Sequence, residues 1–146
     1  MKLSKALSLS ILAILFVSFV QPAAQLPDKP EDISPLLIGE RIPRSEMKDS
    51  EGNPITSTDI LQPKYAYKSK RTVLIYFQGS WSAENREYLK KMTDLKDTLA
   101  VMGYDIVAVS SDAPAKTEEF ITQDSLNFDV VSDSKGELMK NLGIAF

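Results

Sequence analysis

The chain contains no cysteine and no histidine. Those two absences exclude disulfides, zinc ribbons, haem ligation, and nucleophile pairs in which an imidazole activates a thiol or hydroxyl. A surplus of positive charge is also missing. Seventeen basic residues face twenty acidic ones, a formal charge of −3, which rules out a strongly basic nucleic-acid surface. What is present is a chain of 146 residues, 43% apolar and 25% charged, the balance of a single globular domain.

The amino terminus has the build of a secretory signal peptide. Lys2 and Lys5 form a positive start, Ala6 to Val20 runs uncharged and mostly apolar, and the small residues Ala23 and Ala24 follow. That run is shorter than the roughly 20 residues that cross a bilayer as a helix, which makes a membrane anchor the weaker alternative. With no cysteine behind it, a lipid anchor on a mature cysteine is excluded. Residues 1–24 are therefore expected to be removed, leaving an acidic chain that is secreted or periplasmic. Such a chain offers little to anionic lipid or nucleic acid. Without disulfides its stability must come from its core.

Residues 25–35 hold Pro27, Pro30 and Pro35 among polar residues and read as an extended leader; the domain proper spans 36–146. Turn-forming residues Asp49 to Asn53 separate two short candidate strands, Arg44–Lys48 and Pro54–Thr56. The acidic turn lacks the alternating ligands of a calcium loop. Ser57-Thr58-Asp59 offers an N-cap for a short helix through Leu61. The Tyr and Lys residues of Lys64–Lys70 read as a solvated loop in preference to a base-stacking platform.

A regular alternation follows. Thr72–Phe77 is a β-branched and aromatic run, expected to be a strand buried on both faces. Ala83–Met102 has helical spacing, with Tyr88, Met92, Leu95, Leu99 and Met102 drawing one apolar stripe and Gly103 placed to end it. Ile106–Val109 reads as a second buried strand, and a helix from Pro114 to about Asp124 turns Phe120 and Ile121 inward. Phe128–Val131 is a third strand, and Ser134 to Glu137 fits a capping box for a last helix with Leu138, Met139 and Leu142 inward. This order predicts an α/β fold with a parallel strand-helix-strand core and right-handed crossovers.

In such sheets, chemistry gathers beyond the carboxyl ends of the strands, here first at Gln78 to Asn85. From this stretch the chain resembles the peroxiredoxin-like proteins of the alkyl hydroperoxide reductase/thiol-specific antioxidant group, in the thioredoxin superfamily. The segments that carry the resemblance are Ile38–Pro43, Thr72–Asn85, Tyr104–Asp112, Leu126–Phe128, Ser132–Ser134 and Leu142–Phe146. The resemblance implies a thioredoxin-like fold and a Gly-x-Trp-Cys-x-x-Cys segment after the first core strand. Gly79 and Trp81 fit that segment, but Ser82 and Asn85 stand where the two cysteines belong.

A cysteine at that place works because a helix N-terminus stabilises thiolate, which then attacks peroxide or disulfide. A serine hydroxyl is a far weaker acid and has no comparable oxidation ladder. The site at Trp81, Ser82 and Asn85 is accordingly expected to be degenerate, without catalytic residues, cofactor or metal. Ser82 is expected to cap the helix; as a hydrolytic nucleophile it would need a base, with only Glu84, Lys90 and Lys91 nearby in sequence. Trp81 is open between an exposed recognition aromatic and a core residue. Asp105, Asp112, Asp129 and Asp133 offer thin support for a metal, since Asp105 opens its strand while Asp112 and Asp133 follow theirs.

The resemblance also implies two later strands beside Thr72–Phe77, for which this chain has no residues. The exposed edge of strand 72–77 is then a place for a protein partner. Three explanations stay open: C-terminal truncation, cover by the amino-terminal strands, or completion by a partner. The functional expectation is a redox-inactive, exported member of a thiol antioxidant family, or else an accessory to a cysteine-bearing partner or a fragment of a longer redoxin.

Overall fold

The computed structural model describes residues 26–62 and 71–145; the expected signal segment and the Lys64–Lys70 loop lie outside the described residues. Five strands form one sheet: β1 (Glu46–Lys48), β2 (Pro54–Thr56), β3 (Arg71–Phe77), β4 (Tyr104–Ser110) and β5 (Asp129–Ser132). Four α-helices accompany them among the described residues: α1 (Ser57–Leu61), α2 (Ala83–Val101), α3 (Pro114–Asp124) and α4 (Glu137–Asn141). The sheet order is β2-β1-β5-β4-β3. β3, β4 and β5 run parallel, Arg71 beside Tyr104 and Phe77 beside Ser110, while β1 is antiparallel to both β5 and β2.

Strand alternation sends the side chains of each core strand to two cores. On one face Phe77, Ile106, Ala108, Phe128 and Val130 pack with Leu89 and Met92 of α2 and Phe120 of α3. On the other, Val107, Val109 and Val131 meet Met47 and Leu138 of α4. The amino-terminal hairpin turns at Asp49, whose carboxylate accepts the Asn53 amide at 2.8 Å. Asp59 similarly accepts both the amide and the hydroxyl of Thr56, so Thr56 and not Ser57 precedes the first turn of α1.

Four expectations need correction. The leader is not extended throughout, because Pro30–Asp32 makes a 3-10 turn with proline at its first position. Beyond that turn it is tied to the other end of the domain. The Leu36 amide donates to the Leu142 carbonyl at 3.2 Å, and the Ser34 carbonyl lies within 2.0 Å of where a Cβ on Gly143 (φ +69) would stand. Only glycine fits there, on both counts.

The apolar stripe of α2 is also displaced. Leu89 and Met92 are buried and Leu99 half-buried, but Tyr88, Leu95 and Met102 are 52%, 48% and 61% exposed. Tyr88 and Leu89 adjoin, so either could head an apolar line, and only packing chooses between them. Strand β3 is likewise not buried on both faces: only Phe77 is, since β4 alone pairs with it among the described residues. The amino-terminal strands leave that edge open, because they pair beyond β5 on the far side of the sheet. Finally, no capping box forms at Ser134. Gly136 (φ +67) takes the N-cap position without a side chain, and Asp133 supplies the oxygen from one residue earlier.

A buried carboxylate held by two partly exposed basic side chains clamps α2 to α3. Arg86 and Lys90 reach Asp124 at 2.6 and 3.2 Å, and the Arg86 guanidinium lies 5.4 Å over the Phe120 ring. Burial raises the Asp124 pKa, but the hydrogen bonds and charges of Arg86 and Lys90 outweigh it and hold the carboxyl below its ordinary range. A depressed folded pKa stabilises above the unfolded value of about 3.9 and loses that contribution as pH falls through the folded value. Asp124→Asn is therefore expected to cost about 1–3 kcal/mol at pH 7, with the gap to the parent closing below about pH 4. Urea unfolding at the two pH values measures this, and a gap that stays constant refutes it.

Candidate functional site

The carboxyl ends of β3, β4 and β5 meet in a layer of hydroxyls and carboxylates. Asp112 accepts the Ser80 amide at 2.6 Å, its own amide donates to Ser110 Oγ at 3.0 Å, and its carbonyl accepts Ser132 Oγ at 2.6 Å. The Asp133 amide donates to the Ser110 carbonyl at 2.8 Å. Ser110 and Ser132 entered the sequence reading only as members of the segments that carry the resemblance, since a serine closing an apolar strand has no periodic signature. Both are buried here, and each bonds the residues that follow the neighbouring strands.

At the start of α2, Ser82 is the N-cap. Its hydroxyl oxygen accepts the Asn85 amide at 3.3 Å, and its carbonyl accepts the Arg86 amide. The Ser82 side chain thus faces the open end of the helix, where free N–H groups and the helix dipole concentrate positive potential, and Asn85 contributes its backbone amide from within the first turn. No base stands by the hydroxyl among the described residues. Lys90 is held by Asp124, Lys91 by Glu87 at 2.7 Å, and Glu84 is exposed. Ser82 therefore serves the helix and lacks the partner a nucleophile needs.

Trp81 is 71% exposed and so does not pack in the core. Its indole Nε1 and Cδ1 lie 2.7 and 2.8 Å from the place a Cβ on Gly79 would occupy, and Asp112 Oδ1 lies 2.9 Å from it. A side chain at position 79 would displace either the indole or the carboxylate. Glycine is required there for space.

Beside β3, the second carboxylate has a different task. Asp133 is only 1% exposed, and accepts the Tyr76 hydroxyl at 2.9 Å and the amides of Glu137 and Met139 at 2.8 and 3.1 Å. Burial, then the Asp133 charge, then the hydrogen bond to it hold the Tyr76 phenol above its ordinary pKa. Asp105 is the second residue of β4 and Asp129 the first of β5, at the opposite end of the parallel strands. The four acids are thus split between two ends, and no group of three or more metal-ligating acids is assembled among the described residues.

A cleft of about 430 Å³, which no sequence reading singled out, opens between the β1–β2 hairpin and the end of β5. Arg44, Lys48, Asp59 and Lys135 line it, drawn from segments some ninety residues apart. It stands apart from Ser82, with β5 and β4 between the hairpin and β3. No helix among the described residues is long and apolar enough to cross a membrane.

Similarity to other proteins matches this architecture. Peroxiredoxin Bcp of Escherichia coli K12 is 22% identical over 112 residues, covering 77% of this chain and 67% of its own length. The crystal structure of peroxidoxin BcpB from Mycobacterium tuberculosis superposes with a TM-score of 0.62 at 19% identity, over 72% of this chain and 64% of that one. A peroxiredoxin-like protein from Aquifex aeolicus gives a TM-score of 0.60 at 20% identity, over 75% of this chain and 60% of its own. The chain thus spans less than two thirds of these solved relatives. The model of the AhpC/TSA family matches residues 38–146, and with the thioredoxin-like sheet this establishes that the chain belongs to the AhpC/TSA family, as a peroxiredoxin-like protein without cysteine.

Proposed function

We propose that this chain is an exported, redox-silent peroxiredoxin-like domain that acts by binding. The observation that carries the reading is the hydroxyl of Ser82 at the N-terminus of α2, engaged with the Asn85 amide. Oxygen there gains from the helix end only as a cap. It cannot store two electrons and return them, as a thiolate does through sulfenic acid or disulfide. Export rests on the amino-terminal pattern of Lys2, Lys5 and the Ala6–Val20 run, and intact mass of the native protein would read the expected cleavage after Ala24 directly.

The purified chain, mixed with hydrogen peroxide and a thiol reductant, is expected to consume no more peroxide than buffer. Turnover above that background, scaling with protein concentration, overturns redox silence.

In this reading the binding surface is the edge of strand 72–77. β3 pairs with β4 along its whole length and offers its other row of N–H and C=O groups, among the described residues, to no strand. That open edge also favours a second reading, an accessory role in thiol peroxidase or disulfide oxidoreductase chemistry with a cysteine-bearing partner. Under it, peroxide turnover by such a partner rises when this chain is added; an unchanged rate rejects it.

A further inference from the structure

We propose that the cleft between the β1–β2 hairpin and the end of β5 binds a short peptide by its two charged termini. The inference goes beyond the reading above and uses neither the edge of β3 nor the chemistry of Ser82.

The cleft is built from one side of the sheet. β2 and the start of α1 form one wall, the residues after β5 form the other, and β1 runs between them. β5 and β4 separate β1 from β3, so a strand added beside β3 lies at the far side of the sheet and leaves the cleft as it is. Its volume of about 430 Å³ falls within the roughly 300–1,000 Å³ of small-molecule sites. With about 30 Å³ for each water displaced, it has room for an organic molecule and not only for an ion.

Charge selects the class of molecule. Arg44, Lys48 and Lys135 in the lining are matched in number by Glu46, Asp59 and Asp133. A cleft of balanced charge has little long-range pull on a simple anion or cation. A ligand that carries both signs gains from both, provided that the charges are sorted in space.

The fold sorts them. Asp133 is buried and committed to Tyr76 and to the amides of Glu137 and Met139. Asp59 stands on the β2 wall and is exposed; only its Oδ2 accepts from Thr56. Exposure alternates along β1, which sets Arg44, Glu46 and Lys48 on one face with Ser45 and Met47 buried on the other. Arg44 acts on Asp59 and offsets one of the two exposed acids, leaving one negative charge in excess. On the opposite wall Lys135 follows β5, and Lys48 is in register with Ser132. Neither ammonium makes an ion pair among the described residues. The cleft is thus polar across β1, negative toward β2 and positive toward β5.

Span then selects length. β2 and β5 flank β1, two strand spacings or roughly 9.5 Å apart. An extended chain advances about 3.3–3.6 Å per residue, so the termini of a tripeptide stand about 10 Å apart. Its ammonium meets Glu46 and Asp59, its carboxylate meets Lys48 and Lys135, and Pro54 and Ile55 border its middle. A free amino acid bears both charges on one carbon and cannot reach from wall to wall.

Trialanine, titrated into the purified full chain and followed by backbone amide NMR shifts, tests this. Saturable shifts are expected in 44–48, 54–56 and 133–135, with an affinity on the order of a millimolar. Alanine, N-acetyl-trialanine and trialanine amide should each bind about fivefold or more weakly. Lys135→Gln should weaken trialanine by about fivefold and lose most of the response to amidation, while keeping the response to acetylation. Glu46→Gln should do the reverse. Both positions are exposed, so the fold is kept, and Lys116→Gln on the exposed face of α3 is the control that should change nothing. Absence of saturable shifts, shifts centred on 71–77, alanine binding as tightly as trialanine, or blocked peptides binding as tightly as the free one overturns the proposal. So does a Lys135→Gln chain that behaves like the Lys116→Gln control. None of these outcomes alters the peroxide assay, so failure of the peptide site and failure of redox silence are told apart.

Discussion

Asp133→Ala is expected to lower the unfolding free energy by about 3–5 kcal/mol, a large share of the roughly 5–15 kcal/mol that holds a domain folded. The carboxylate is buried and accepts the Tyr76 hydroxyl and the amides of Glu137 and Met139. Alanine leaves all of these donors without an acceptor, at about 1–3 kcal/mol for each group that water cannot reach. It also removes the cap of α4, which Gly136 cannot provide. Tyr76→Phe should cost less, about 1–3 kcal/mol, since the amides keep their acceptor. In the Asp133→Ala background the same substitution should cost markedly less, because the bond to Asp133 is already gone and only the one to Ser111 remains to be lost. Urea denaturation followed by circular dichroism measures all three. A loss below about 1 kcal/mol for Asp133→Ala means that water reaches these donors and the tie is weak.

Alkali should act on the same tie. The Tyr76 phenol titrates above its ordinary value in the folded protein, by burial first and the Asp133 charge second. A raised folded pKa stabilises below the unfolded value of about 10 and loses that contribution as pH rises through the folded one. The Tyr76→Phe variant lacks this alkaline component.

Ser82→Cys should create an acidic thiol. The side chain at position 82 faces the Asn85 amide and the positive end of a 19-residue helix, both of which favour thiolate. A pKa at least one unit below the unperturbed value of about 8.5 is expected, raising the thiolate fraction at neutral pH roughly tenfold. Reactivity with iodoacetamide will rise by less, because a more acidic thiol is a weaker nucleophile at each encounter. Thiolate absorbance is accordingly the measurement to use, with Glu118→Cys as the exposed reference. A value at or above 8.5 would show that the helix end does not act on this side chain. In that event, the absence of sulfur would not be the only thing separating this site from a working one.

Much of the scaffold was legible because each signal was local. The β-branched run at 72–77, Pro114 opening α3 and Ser82 before Ala83 announce a strand, a helix start and a cap through steric and hydrogen-bonding preferences within a few residues. The absence of cysteine, read from the sequence alone, carried the redox conclusion. What the sequence could not show was which side of an element another element would cover. The spacing of α2 permits an apolar line through Tyr88 or through Leu89, and only contact with Phe77 and Ile106 selects the second. Asp112 and Asp133 stood out as acids after strands, yet their partners, Ser80 and Tyr76, come from a strand and loop more than thirty residues away.

By itself, then, the amino-acid sequence determined the order of strands and helices and the absence of any thiol at the start of α2, because both depend on residue type and near neighbours. Tertiary structure decided that β3 pairs with β4 alone among the described residues, that Trp81 faces solvent and that Asp133 ties a strand to a helix. Those outcomes depend on which distant segments pack together, and burial is a property of the assembled sheet that no short stretch of sequence possesses.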